Sequence, residues 1–397
     1  MFVNTPPMGW NTWNTFGPNI NEKLILESAD AMVENGLLDA GYKYLVIDDI
    51  WALKERGADG RIVPDPEKFP HGMKYVADYV HSKGLKFGMY SCAGYLTCAG
   101  YPASYDYEWV DAKTFAEWDV DFLKYDFCFH PATVRPDTLY KRMSLALANC
   151  GRDIVFSACS WGSENTKQWI KETGADMWRS TGDINDSWES IKSLSQSQLQ
   201  VQEYNSKGCF NDMDMLVVGM NGKGNVGFKG CSKEEYRTHF SLWALLSSPL
   251  MIGCDIRDMD TDTKEILLNK DVIAVSQDPK GCEPFFVNNF VWTVNEERKS
   301  DSEPHFKKYP LDVPIVARYL DGGDIAVGVF NFMDSAASRW NMTITCDNLG
   351  LPVNCGKDFE AHDLWTSEVL KSFNGTLEID SLEPHACRLF RVKIIDK

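Results

Sequence analysis

The feature that most constrains this chain is a rhythm. Short apolar runs recur roughly every 25 to 45 residues, with stretches of helical period between them. Eight such runs stand out: Pro7–Trp10, Tyr44–Asp48, Phe87–Tyr90, Phe122–Tyr125, Ile154–Ala158, Met177–Arg179, Asn211–Leu216 and Leu250–Gly253. Parallel strands need a crossover between them, so this alternation of β and α segments predicts an α/β fold, and eight repeats predict a (β/α)8 TIM barrel. The intervening segments carry their own punctuation. Asn21 precedes an apolar face of Leu24, Ile25, Ala29 and Met32 that Gly36 stops, and Met73–Lys83 ends before Gly84. Ser232 and Glu235 form a capping box ahead of Tyr236, Phe240, Trp243 and Leu246. Thr263–Leu268 reads as the last barrel helix.

After Pro279 the texture changes. Phe285–Val294, Ile315–Tyr319, Ile325–Phe330, Asn341–Thr345 and Cys387–Val392 are short β-prone segments divided by turn signals such as Asp321-Gly322-Gly323. The expected organisation is a catalytic barrel over residues 1–282 and a small antiparallel β-sandwich domain over 283–397. The polar stretch from Asn295 to Pro310 reads as an exposed loop or hairpin excursion.

Composition narrows the partners. A net charge of −17 with no basic run disfavours nucleic acid and anionic membrane surfaces. The opening Met-Phe-Val-Asn-Thr-Pro-Pro has no basic stretch leading into an apolar one, so a cytoplasmic location is expected unless a leader has been removed. The 12 Cys and 7 His show no metal-ligand spacing, and no Gly-x-Gly-x-x-Gly follows the first strand, so neither a metal nor a cofactor is expected.

The chemistry lies at the ends of the runs. Asp48-Asp49, Tyr90, Lys124-Tyr125-Asp126, Cys159-Ser160-Trp161, Arg179 with Asp183, and Asp214 all fall there. In a barrel the C-terminal strand ends converge on one face, so these distant residues should share a pocket. An acid after a strand is ordinarily a helix N-cap. Capping does not explain a Lys two residues before an Asp at a strand tip, nor two Asp in tandem. Carboxylates that accept from hydroxyls, cations that donate to them, and indoles such as Trp10 and Trp161 that cover apolar ring faces together suit a monosaccharide. Asp126 beside Lys124 should stay ionised, whereas Asp183 would need a raised pKa to serve as an acid.

The motifs Met8-Gly9-Trp10-Asn11-Thr12-Trp13, Ile47-Asp48-Asp49-Ile50-Trp51, Leu123-Lys124-Tyr125-Asp126-Phe127-Cys128, Trp178-Arg179-Ser180-Thr181-Gly182-Asp183-Ile184 and Asn211-Asp212-Met213-Asp214-Met215-Leu216 strongly resemble glycoside hydrolase family 27. That family holds α-galactosidases and α-N-acetylgalactosaminidases. The resemblance implies a retaining double displacement on a terminal α-galactoside, with Asp126 as nucleophile and Asp183 as acid/base. It also implies that Asp48, Asp49 and Lys124 hold the O3, O4 and O6 hydroxyls, that Trp10 and Tyr90 line the ring, that Arg179 lies near O2, and that Asp214 and Met215 complete the pocket. Cys98 and Cys128 match a pair that is disulfide-bonded in secreted members. The partner implied is a galactose-containing oligosaccharide or glycoconjugate, and homo-oligomers are frequent in the family.

One position departs from the galactosidase pattern. Ser160 stands where many members have a Glu that contacts the 2-hydroxyl, and Ser163 is also small; both suit a 2-acetamido group and keep an α-N-acetylgalactosaminidase open as the alternative. A catalytically inactive sugar-binding barrel is the reading from another class, but it would require loss of one of the two carboxylates. The intact Asp48-Asp49 pair speaks for a hexose over an arabinopyranoside, which lacks C6.

Overall fold

The protein is described from a computed structural model covering residues 3–287, 312–338, 342–352 and 354–397. The expected loop from Asn295 to Pro310 and part of Phe285–Val294 and Asn341–Thr345 lie outside the described residues. The chain divides into two compact units, Met1–Glu283 and Pro284–Lys397.

In the first unit eight parallel strands form one sheet: β1 (Met8–Asn11), β2 (Tyr44–Val46), β3 (Lys86–Cys92), β4 (Phe122–Asp126), β5 (Val155–Ala158), β6 (Met177–Arg179), β7 (Phe210–Asp212) and β8 (Leu250–Ile252). Their order is β7-β6-β5-β4-β3-β2-β1-β8, each consecutive pair being parallel. The seventh apolar run is not one strand. It ends at Asp212, Asp214 takes a left-handed φ of 79°, and Leu216 then pairs with Ile252 in a parallel bridge that closes the ring between β7 and β8.

The helical punctuation acts as read. The Asn21 side chain accepts from Leu24 N at 2.9 Å to start the helix Glu22–Glu34, and Ser232 and Glu235 form the capping box of the helix Lys233–Leu245. The last barrel helix needs correcting: Thr261–Leu267 is followed by a second helix, Lys270–Ser276, capped by Asn269. That helix is only seven residues long, too short to show a helical period clearly. Among the described residues no helix is long and apolar enough to cross a membrane.

Strand β4 shows how the sequence aims its chemistry. Side chains alternate across a strand. Leu123 and Tyr125 are fully buried, and the Tyr125 ring meets Tyr140 of the outer helix Pro136–Ala148 edge to face at 5.9 Å. Phe122 and Lys124 therefore face the barrel interior, and Asp126 follows them at the open end. A Lys two residues before an Asp puts both on the same side, one level apart.

In the second unit the strands Val369–Lys371, Lys357–Asp363, Cys387–Asp396, Ile325–Phe330, Ile315–Tyr319 and Phe285–Phe286 form an antiparallel sheet in that order. Its apolar side, with Ile315, Val327, Phe359 and Phe390, buries Ile344 and Leu377 from the separate pair Thr343–Thr345 and Thr376–Glu378. Lys357–Asp363 escapes a search for apolar runs because only alternate residues of it are buried.

Gly9 of β1 lies where a Cβ would meet Tyr44 O of the neighbouring strand at 2.2 Å. Both atoms belong to the barrel frame, so neither can turn aside. Gly9→Ala should therefore cost roughly 1–3 kcal/mol of stability, read as a drop in the denaturant midpoint. An unchanged midpoint would show that the strands part without penalty.

Candidate active site

The strand ends enclose a cavity of about 120 Å³ lined by Trp13, Asn14, Asp48, Asp49, Tyr90, Cys98, Lys124, Asp126, Trp161, Arg179, Asp183, Ile184, Asp214, Met215 and Val226. Ten of the residues expected at the site from sequence are there: Asp48, Asp49, Tyr90, Lys124, Asp126, Trp161, Arg179, Asp183, Asp214 and Met215.

Two others are not in the wall. Trp10 is fully buried, its indole N–H donating to Cys254 O at 2.8 Å. Ser160 is also fully buried and shares a 2.7 Å hydrogen bond with Thr166 Oγ1, while exposed Ser163 donates back to Ser160 O at 2.6 Å. The hydroxyls of this loop are satisfied by one another and by the loop's own carbonyls, and Trp161, at φ 55°, is what the loop contributes to the cavity.

At the base of the cavity Lys124 Nζ donates to Asp48 Oδ2 at 2.8 Å, and the same oxygen accepts from Asn11 Nδ2 at 2.8 Å. Burial opposes the charge on Lys124, but the charge and hydrogen bond of Asp48 together with the charges of other neighbours, Asp126 among them, hold the ammonium protonated well above its usual range. Asp49 accepts from Ile50 N at 2.7 Å and Ala99 N at 3.0 Å.

Asp126 accepts from Phe127 N and Tyr90 Oη, both at 3.0 Å. Burial pushes its pKa up to about 6, and although Lys124 and these hydrogen bonds pull it down, the charge of Asp48 adds to the rise. Burial likewise keeps Tyr90 a neutral donor.

Asp183 differs. Its side chain is 76% exposed and pairs with Arg179 Nη2 at 2.8 Å. Partial burial would raise its pKa, yet the charge and hydrogen bond of Arg179 hold it below the ordinary carboxylate range. Asp126 thus shifts upward despite Lys124, and Asp183 lies in the direction opposite to the one an acid needs. One cation two residues from Asp126 does not offset desolvation, and the cation four residues before Asp183 is close enough to dominate. Arg179 Nη1 also reaches Asp214 Oδ1 at 3.1 Å, and Asp214 Oδ2 accepts from Ile184 N at 2.8 Å.

Cys98 and Cys128 are joined in a disulfide, Cα to Cα 5.1 Å. Their sulfurs and an Asp126 oxygen lie within 4.8 Å of one another, but bonded sulfurs offer no thiolate to a metal ion.

Several participants went unread in the sequence. Val226 reaches the cavity on a glycine-rich loop whose Gly224 lies so close to Thr15 that a Cβ would meet its Cα at 2.8 Å; Asn225 N and Val226 N bond Thr15 O and Asn14 O at 3.0 Å. Asp212 sits under the floor, beside a second cavity of about 30 Å³ that Arg179 and Asp214 share, and accepts from Asp214 N at 2.9 Å. Its signal was position: Asp212 closes strand β7 as Asp126 closes β4.

Two parts of the chain match known family profiles, residues 5–278 that described as alpha galactosidase A and residues 312–392 the alpha galactosidase C-terminal β-sandwich domain. The α-galactosidase of Coffea arabica is 44% identical over 387 residues, 97% of this chain and 93% of that protein. The chain belongs to glycoside hydrolase family 27, the α-galactosidase family. Among solved members, α-galactosidase I from Mortierella vinacea superposes with a TM-score of 0.86 at 35% identity, covering 100% of this chain and 98% of that one. The α-galactosidase from Saccharomyces cerevisiae solved with raffinose gives 0.82 at 28% identity, covering 99% and 98%.

Burial pushes the Asp212 pKa up to about 6, against the pull of Arg179. A carboxylate whose pKa is raised on folding leaves stability intact below its unfolded value and lowers it as pH rises through the folded one. Asp212→Asn keeps the acceptor for Asp214 N, so its melting temperature should exceed wild type by more at pH 7 than at pH 4, for a gain of at most about 3 kcal/mol. A difference that does not change between the two pH values would remove the buried charge from Asp212.

Proposed function

We propose that this protein is a retaining exo-α-galactosidase. Asp126 attacks the anomeric carbon of a terminal α-galactose while Asp183 delivers a proton to the departing oxygen. Water then attacks the Asp126 glycosyl ester, with Asp183 taking its proton. The observation that carries this reading is the gathering of two carboxylates in contrasting surroundings around one cavity, Asp126 deep and desolvated, Asp183 at the open side on an arginine. The buried Asp48–Lys124 pair and Asp49 supply acceptors and a donor for the O3, O4 and O6 hydroxyls. Arg179 is placed to hold O2, and turning toward it would release Asp183 from the ion pair. Trp161 and Tyr90 cover the ring. The α-galactosidases that are 42% and 44% identical over 97% of the chain favour the galactoside over the acetamido alternative.

The productive form needs Asp126 ionised and Asp183 protonated. With Asp126 at about 6 and Asp183 below the usual range, that form is a minority of the singly protonated pair. Its share is constant between the two pKa values and falls above the higher. On an alkyl or sugar α-galactoside, kcat/KM should therefore fall about tenfold per pH unit above about pH 6. On 2,4-dinitrophenyl α-galactoside, whose leaving group needs no proton, kcat/KM should rise through about pH 6 and level off. Parallel profiles for the two substrates would refute the assigned roles. Asp126→Asn should remove at least about 10³-fold of the rate on both.

A further inference from the structure

Two aromatic side chains stand in solvent on segments that lead away from the cavity wall, although those segments are tightly built. Tyr95 and Phe129 are each 59% exposed. Phe129 lies three residues beyond Asp126, and Tyr95 three before Cys98, and both Asp126 and Cys98 line the cavity. The segments are fastened to each other. Ala93 N donates to Asp126 O at 2.8 Å and Tyr95 N to Phe129 O at 3.2 Å. Between those bonds, Gly94 passes so close to the other segment that a Cβ would meet Cys128 O at 2.0 Å, and the Cys98–Cys128 disulfide joins the two again.

The display is held against local preference. Phe129 has a φ of 47°, a left-handed conformation that a bulky residue rarely adopts. Such strain is kept where neighbouring structure imposes it, and it clusters at functional sites. Tyr95 leans edge-on against Tyr105, ring centroids 4.9 Å apart, which fixes the ring while leaving it largely in water.

We propose that Tyr95 and Phe129 form the subsite for the sugar on the leaving side of the cleaved bond, so that these two residues set how well the aglycone is held. This rests on the galactosidase reading above, because an exo-enzyme that holds one terminal sugar in its cavity leaves the next ring at the rim. Flat aromatic faces suit the apolar face of a pyranose. A protein of net charge −17 disfavours an anionic aglycone, so the occupant is a neutral hexose unit.

The test compares raffinose with α-galactosyl fluoride, which has the same terminal sugar and no second ring. Phe129→Ala and Tyr95→Ala should each lower kcat/KM for raffinose roughly two- to tenfold, and both together more, while leaving the fluoride within about twofold of wild type. Phe129→Trp should restore most of the raffinose rate, which a purely structural role would not allow. Equal losses on the two substrates, or no loss on either, would overturn the subsite. A change of oligomeric mass in sedimentation with the raffinose-to-fluoride ratio unaltered would also overturn it, assigning the patch to contact between copies. Wild type inert on the fluoride would instead sink the galactosidase reading itself.

Discussion

The site depends on one buried ion pair. Lys124 and Asp48, 76 residues apart in the chain, meet at 2.8 Å inside the barrel. Such a pair is weak evidence for stability, since each charge has lost most of its water. Its value here is placement. Asp48 is shared with Asn11 of β1, and Lys124 lies one level below Asp126, so strands β1, β2 and β4 are held in fixed relation at the level where the sugar would rest. The same two charges also act in opposite senses on Asp126: Lys124 favours its ionised form and Asp48 disfavours it.

Around that pair the cavity sorts its carboxylates by surroundings. Asp126 and Asp212 are buried and pushed upward; Asp183 is exposed and pulled down by Arg179. Arg179 is the hinge of this arrangement. It binds Asp183 with one nitrogen and Asp214 with the other, so whatever recruits the guanidinium also changes the proton affinity of Asp183.

Much of this was legible in the sequence. The repeat of apolar runs carried the barrel, and the Lys124-Tyr125-Asp126 triplet carried its own geometry, because period two sends the first and third residues to one side. The Asn21 cap and the Ser232 capping box were readable because they are local. Less legible were short or half-buried elements: Lys270–Ser276, seven residues long, and Lys357–Asp363, whose apolar residues alternate with charges. The seventh run looked continuous because its composition is; only the left-handed turn at Asp214 shows that Leu216 belongs to β8's partner and not to β7.

The sequence by itself determined which residue types reach the open end of each strand, the order of strands and helices, and the family. Tertiary structure alone decided which of those residues face the cavity and how they ionise. Ser160 belongs to a recognisable motif yet turns away to bond Thr166, whereas Trp10, inside β1, alternates with Asn11, which reaches the barrel interior, and bonds Cys254 O instead. Beyond a strand end, side-chain direction follows from loop dihedrals such as those of Trp161 and Asp214, which no periodicity encodes. Ionisation depends on burial and on charges brought close by folding. Lys124 is near Asp126 in sequence and Asp48 is not, but both charges act on it at the same site.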